Sequence, residues 1–299
     1  MIFSPLFSFS YPAVYSVLQD NCLYQLLFFV ILFANWAEVG VSLYAGMFFC
    51  DVDGTILPHG QREVSSDFFS LVHEAKKKGY LFCISSGRFH LSLLPLFEQV
   101  KDEVVFSASN GCRILYQGQE LLPNHTIQTS DARQITNDLL SLGAIPLLSG
   151  KKAIHLPFSA LEQEKSKGYL SKGFTQTFDD FSDIDDEILQ ITGVCRQNKA
   201  AILNQSRKTW AARYHVVTTG KELFDICPTT KGESLLAISS YFGLSRQNTY
   251  AFGDDENDIP MLGAAGKGYL MGTAHETLKA QEFEHCHDVV GTVNAILLQ

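Results

Sequence analysis

The chain is short of positive charge at its start and of paired cysteines throughout. No Lys or Arg occurs before Arg62, and no long basic block appears anywhere in a chain of formal charge −9. That balance argues against a nucleic-acid partner. The one basic run, Lys76 to Lys78, stands before Gly79 at the end of an expected helix, where cations suit the helix dipole. Seven cysteines (22, 50, 83, 112, 195, 227 and 286) include no CxxC pair. An odd count, with Cys50, Cys83 and Cys112 in or beside apolar runs, points to a reducing compartment, the cytoplasm, rather than a disulfide framework. In His285-Cys286-His287 consecutive side chains splay apart and no second ligand pair stands near, so a zinc site is not expected there.

What is present is globular: 299 residues, 46% hydrophobic and 18% charged, enough for one large or two modest domains. The organising stretch is Met47 to Leu57, MFFCDVDGTIL. It reads as a short buried strand, Met47 to Cys50, that delivers Asp51 and Asp53 to the same side and into a turn at Gly54 and Thr55. Two like charges about 4 Å apart repel by roughly 4 kcal/mol near a surface, so a cation or a proton must offset them. That points to a metal site. An isolated D-x-D-G also fits a solvated turn or a calcium loop, but apolar residues on both sides argue for a strand end inside a sheet.

From Val64 the spacing is helical, with Ser65 or Ser66 as cap and Gly79 as stop. Tyr80 to Ile84 is a second apolar strand, and it ends in Ser85-Ser86-Gly87-Arg88, where a hydroxyl and free backbone N–H groups suit a phosphate. Val104 to Ser109 is a third, followed by Asn110-Gly111, an ordinary hairpin signal at least as readily as a substrate contact. Residues 123 to about 225 carry their own alternation of helices and strands. Strands are expected at Ile145 to Leu148, Ala153 to Leu156, Ile188 to Cys195, Tyr214 to Thr218 and Glu222 to Ile226. A mixed segment spans Ser159 to Phe174, and the acidic loop Asp179 to Glu187 reads as a solvated turn without a ligand. Past Pro228, Lys231 opens a helix against the dipole, a placement that makes sense with a bound phosphate between them. The strand Thr249 to Phe252 ends in GDDENDIPML, which puts Asp254, Asn257 and Asp258 at a strand end and Pro260 in a first helical turn.

Taken in order, DVDGT, SSGR, ICPTTKGESLLA and GDDENDIPML resemble the four motifs of the haloacid dehalogenase (HAD) superfamily of phosphatases. GDxxND followed by PML, and SNGCRILYQGQEL, resemble its Cof-like branch. The resemblance covers residues 47 to 299. It implies an α/β fold: a doubly wound parallel-sheet (Rossmann-like) HAD core from residues 47–122 and 226–299, with an inserted α/β cap domain at 123–225. In such a sheet, ligands bind outside the carboxyl ends of the strands. It also implies a Mg²⁺-dependent phosphatase that hydrolyses small phosphorylated metabolites, sugar phosphates by default, through an aspartyl-phosphate. By the same resemblance Asp51 is the nucleophile and Asp53 the general acid/base. Asp51, Asp254 and the backbone carbonyl of Asp53 hold the metal, and Asp258 orients its shell. Ser86, with Ser85 its competitor, binds phosphate together with Gly87, Lys231 and Asn257. Leu270 and Thr273 depart from the family's Ala and Asn, which alters a contact near the phosphate.

Three alternatives stay open. A phosphomutase of the phosphomannomutase type shares DVDGT, and a non-catalytic binding protein for phosphate ligands would use the same pocket. A membrane-attached phosphatase depends on residues 1–46. There, Asn21 to Ala37 are 17 uncharged residues, the lower edge of the roughly 17 to 25 a spanning helix needs. Asn35, Glu38 and the missing basic flank count against a span, and a secretory signal lacks its positive n-region. The remaining reading begins the functional chain at Met47, with residues 1–46 an unfolded extension.

Overall fold

The structure, a computed structural model, describes residues 44–162 and 173–299. The expectations of a span, a signal or an extension in residues 1–43, and most of the mixed segment, lie outside the described residues. Among those described, no helix is long and apolar enough to cross a membrane.

The first part of the chain forms β1 (Gly46–Cys50), α1 (Ser66–Lys77), β2 (Tyr80–Ser85), α2 (His90–Leu93), β3 (Val104–Ala108), β4 (Arg113–Tyr116) and β5 (Gln119–Glu120). Next come α3 (Thr129–Ser141), β6 (Ile145–Gly150), β7 (Ile154–Pro157), β8 (Thr175–Phe178), β9 (Ile188–Val194), α4 (Lys199–Trp210), β10 (His215–Thr219) and β11 (Leu223–Cys227). The last part supplies α5 (Lys231–Tyr241), β12 (Thr249–Gly253), α6 (Ile259–Ala264), β13 (Lys267–Met271), α7 (Glu276–Lys279), β14 (Glu284–Cys286) and α8 (Val289–Leu297).

The first and last parts share one eight-stranded sheet in the order β14-β13-β12-β1-β2-β3-β4-β5. It is parallel from β14 to β3 and antiparallel at the β3–β4–β5 edge. β1 is buried along its whole length, as a central parallel strand with apolar residues on both faces must be. Phe48 and Cys50 pack toward α1 and α8, with Phe68, Phe82 and Val293. Met47 and Phe49 pack toward α5 and α6, with Leu235, Ile238 and Met261. Helices on both faces make the sheet doubly wound. The chain moves outward from β1 through β2 to β3, then returns to the other side of β1 at β12, so the strand order reverses between β1 and β12. That is where a crevice opens in such sheets.

The middle part builds a six-stranded sheet in the order β10-β11-β9-β6-β7-β8, antiparallel except between β7 and β8. α3 and α4 cover one face through Ile135, Leu139, Ile202 and Trp210. On the other face Leu147, Ile154 and Leu156 pack against Phe89 from the segment after β2.

Several boundaries differ from the sequence expectation. β11 runs to Cys227, because Ile226 and Cys227 pair with Val216 and His215 in the antiparallel ladder; the return to the first sheet therefore falls after Cys227, not at 226. The fold also begins before Met47. Gly46 pairs with Tyr80, the Ala45 N–H donates to the Gly79 carbonyl at 2.8 Å, and the Tyr44 ring meets Phe242 edge-on at 5.4 Å. In the acidic loop, Asp186 does more than solvate a turn. Its carboxylate accepts from the N–H groups of Lys151, Lys152 and Ala153 at 3.0, 2.9 and 3.2 Å and meets His155 Nε2 at 3.0 Å. Burial works against its charge, but the His155 and backbone hydrogen bonds hold its pKa below the usual value. Gly150 permits this approach, since a Cβ there would lie 2.1 Å from Asp186 Oδ2.

Candidate active site

The ends of β1 and β12 stand side by side because the ladder continues one step past them: the Asp51 N–H donates to the Phe252 carbonyl at 2.9 Å. Asp51, Asp254 and Asp258 thereby come together, buried, with one carboxylate oxygen of each within 4.8 Å of the others. Gly54 allows the turn after β1 to press on this cluster. Its φ is +89°, and a Cβ would sit 2.1 Å from Asp254 Oδ2. Thr55 Oγ1 donates to Asp254 Oδ1 at 3.4 Å. Thr273, one of the departures from the family pattern, donates to the Gly54 carbonyl at 3.4 Å.

Lys231 is the cation among these acids. It opens α5, whose start is fixed by a capping box: Thr230 Oγ1 accepts from the Glu233 N–H at 3.1 Å, and Glu233 Oε2 accepts from the Thr230 N–H at 2.9 Å. From there Lys231, 1% exposed, donates to Asp51 Oδ1 and Asp258 Oδ1, both at 2.6 Å. Two carboxylates thus offset the charge that the helix dipole disfavours, where the sequence alone suggested a phosphate. Asp258 Oδ2 accepts from the N–H groups of Asp254 and Asp255 at 3.0 and 3.1 Å. Both oxygens of Asp258 are therefore held, which makes it a brace for the loop.

The electrostatics follow from burial. Burial and the Asp258 charge push the Asp51 carboxyl well above the usual carboxylate range, with Lys231 opposing. Asp254 is pushed up to about 7 by burial and by Asp258 and Asp255. Burial would lower the Lys231 pKa, but the Asp258 and Asp51 charges reverse this and raise it above the usual lysine value. Three buried carboxylates against one ammonium leave the cluster short of positive charge.

Asp53 stands apart from this cluster. Its side chain, half exposed, is gripped by Arg88, whose Nε and Nη2 donate to its two oxygens at 2.7 and 2.6 Å. Ser86 lies buried at the end of β2, with its Oγ accepting from the Arg88 N–H at 3.2 Å. Ser85 Oγ, also buried, has no hydrogen-bond partner among the described residues. Asn257 donates from Nδ2 to Asn110 Oδ1 at 2.9 Å. Gly87 lies beside the same Asn110 amide, to which a Cβ at Gly87 would approach within 3.4 Å. The structure therefore gathers Asp51, Lys231, Asp254 and Asp258 tightly. Asp53 with Arg88, and Ser86, Gly87 and Asn257, sit on the neighbouring strand ends.

The sequence assigns no role to Arg88, Gln190 or Asp225, and it leaves Asn110 between a hairpin and a substrate contact. Arg88 was visible as the cation after Gly87. Asn110 was hidden by its own turn signal, and Asp225 was marked only by being an acid within the apolar run Leu223 to Cys227. Asp225 is buried and pushed up to about 6, with hydrogen bonds from Thr192 and Asn110 opposing.

The doubly wound sheet thus carries buried carboxylates and a lysine at its switch point, where α/β folds bind ligands. The chain belongs to the haloacid dehalogenase-like hydrolases, whose family description it matches over residues 48–294, and within them to the Cof-like branch. It is 25% identical over 258 residues to the phosphatase YwpJ of Bacillus subtilis, across 77% of this chain and 90% of that protein. Among solved structures it is similar to a haloacid dehalogenase-like hydrolase from B. subtilis, with TM-score 0.74 and 23% identity over 83% of this chain and 99% of that one. It is also similar to the subclass IIB sugar phosphatase BT4131, with TM-score 0.70 and 20% identity over 84% and 98% of the two chains.

Proposed function

We propose that the chain is a Mg²⁺-dependent phosphatase that hydrolyses small phosphate monoesters, sugar phosphates among them, through an aspartyl-phosphate on Asp51. The observation that carries this reading is the buried contact of Asp51 with Lys231 inside the Asp51–Asp254–Asp258 cluster. An all-oxygen set of hard donors, short of positive charge, fits Mg²⁺. Asp51, Asp254 and the Asp53 backbone carbonyl would hold it, with Asp258 bracing the loop. When bound, it supplies the positive charge that lets an anionic carboxylate approach a dianionic phosphoryl group.

The chain's own residues do the rest. Lys231 fixes Asp51 Oδ1 and neutralises part of its charge, leaving the carboxylate oriented for attack on phosphorus. Asp53, positioned by Arg88, protonates the leaving alkoxide and later takes a proton from the water that opens the acyl phosphate. Ser86, the backbone at Gly87, and Asn257 hold phosphoryl oxygens. Residues 123–225, extended to Cys227, form a cap that excludes water and selects the leaving group. Support for this comes from Gln190 and Asp225, which reach Asn110 from the second sheet. The partner is then a small phosphorylated metabolite. The six cysteines among the described residues, all buried and free, suit a reducing compartment such as the cytoplasm.

The deciding experiment is phosphate release from a panel of phosphorylated sugars and a small aryl phosphate, with Mg²⁺ and after chelation. Release that stops on chelation supports the reading. Phosphate moved within the sugar instead of released would favour a mutase. A folded, Mg²⁺-loaded protein that releases none from any substrate would overturn the phosphatase.

A further inference from the structure

A buried polar chain joins the two sheets, and the mechanism above uses one end of it. Asn110, 2% exposed, lies in the turn after β3 at φ 57°, ψ 29°, a left-handed conformation that Asn tolerates better than most residues. Its backbone N–H donates to the Ser86 carbonyl at 2.9 Å. Its Oδ1 accepts from Asn257 Nδ2 at 2.9 Å, and its Nδ2 donates to Asp225 Oδ2 at 2.9 Å and to Gln190 Oε1 at 3.0 Å. Thr192 Oγ1 donates to Asp225 Oδ1 at 2.6 Å, and Gln190 Nε2 donates to the Gly87 carbonyl at 3.2 Å.

The polarity of this chain is set at the Asp225 end. An ionised carboxylate only accepts, so Asn110 must turn its amino group to Asp225 and its carbonyl oxygen to Asn257. Asn257 must then turn its own amino group toward Asn110, which leaves it one further N–H. Without that constraint the Asn257 amide could rotate by half a turn and present a carbonyl oxygen to an anion.

We propose that Asn110 is a positioning residue: held by Asp225 and Gln190 of the second sheet, it fixes the Asn257 amide so that an N–H faces a bound phosphoryl group. Placement of the second sheet and competence of the phosphoryl site are thereby linked through one side chain. The role of Asn257 rests on the phosphatase reading; the hydrogen-bonded linkage does not depend on turnover.

The test exchanges the two ends of a hydrogen bond. Asn110→Asp keeps an acceptor for Asn257 but sets two carboxylates against each other. Combining it with Asp225→Asn restores a donor–acceptor pair of reversed polarity at that bond; the Gln190 amide can rotate to donate to residue 110, giving up its hydrogen bond to the Gly87 carbonyl. The readouts are affinity of the Mg²⁺-loaded protein for inorganic phosphate by calorimetry, and kcat and KM on a small aryl phosphate. Asn110→Asp should weaken phosphate binding about 10- to 100-fold, the worth of one hydrogen bond to a charged group. The double exchange should recover to within about threefold, as coupled partners do. Asn110→Gly, which suits the left-handed turn, should show a similar loss alone but add less than about threefold to Asn257→Ala, because it acts through that residue. A double exchange no better than Asn110→Asp, or a full-sized Asn110→Gly effect in the Asn257→Ala protein, overturns the proposal. Phosphate binding that follows the expected pattern without any monoester hydrolysis would sink the phosphatase reading and leave the linkage standing. A folded wild type that neither binds phosphate nor turns over overturns both.

Discussion

A buried lysine at the first turn of a helix is disfavoured twice, by desolvation and by the dipole, and Lys231 is tolerable because Asp51 and Asp258 each accept from it at 2.6 Å. In the proposed function, Asp51 is the residue on which the chemistry depends. Asp51→Asn should abolish phosphate release, and Asp53→Asn should slow it about 10²- to 10⁴-fold, the usual worth of a general acid/base. More than a tenth of wild-type turnover in folded Asp51→Asn would refute the nucleophile. Asp225 allows a prediction on pH. Its carboxyl is buried and raised to about 6, so between about pH 4 and pH 6 the folded state holds a proton that the unfolded state has released. Its stabilising effect is full below about pH 4 and is lost as pH rises through about 6, a change on the order of 3 kcal/mol. Urea unfolding of wild type and Asp225→Asn from pH 4 to 7 should show a steeper loss in the wild type; parallel curves would refute this. The meeting of Asp51, Lys231 and Asp254 was legible because DVDGT, ICPTTKGESLLA and GDDENDIPML resemble family motifs in their order, whereas the Asp53 side chain meets Arg88 instead of that cluster. The roles of Gln190 and Asp225 were not legible, because a polar residue in a strand does not announce which distant partner it meets; Asn110, in the turn after β3, carried a hairpin signal that left its role open.

At the scale of elements, legibility followed hydrophobic pattern. α1 was readable from its apolar face and its caps, and Ser65 does accept from the Phe68 N–H at 3.3 Å. β8 was missed because Thr175, Gln176 and Thr177 give no apolar signal; this strand is held by pairing with β7 rather than by burial. β14 was missed because His285 and His287 flank a single buried residue, Cys286. The β6–β7 turn depends on a close approach that sequence cannot display. Gly150→Ala should destabilise the protein by about 1 to 3 kcal/mol, as overpacking does, because the new Cβ would displace Asp186 from three backbone N–H groups. Gly263→Ala is the contrast. Its Cβ would meet nothing within 4 Å, and in α6 it should leave stability unchanged or raise it by up to about 1 kcal/mol. Urea midpoints for the two variants check both; equal midpoints would refute the steric account.

For the whole molecule, the doubly wound core was legible because four motifs fall at strand ends in a fixed order. Where the fold begins was not. A chain starting at Met47 loses the Gly46 pairing, the Ala45–Gly79 hydrogen bond and the Tyr44–Phe242 ring contact. It should unfold about 1 to 3 kcal/mol more easily than one starting at Tyr44, as paired calorimetric scans would measure; identical scans would show those residues to be dispensable. The order of strands also governs how the protein is made. β1 lies between β2 and β12, and its register with β12 joins Met47 to Thr249, so while the nascent chain emerges one edge of β1 must wait for about 200 further residues. Every strand of the second sheet lies within residues 145–227, and that sheet can assemble during the wait. Until β12 leaves the ribosome, the apolar GMFFC strand has an open hydrogen-bonding edge, which makes the half-synthesised protein the species most exposed to aggregation and to capture by chaperones.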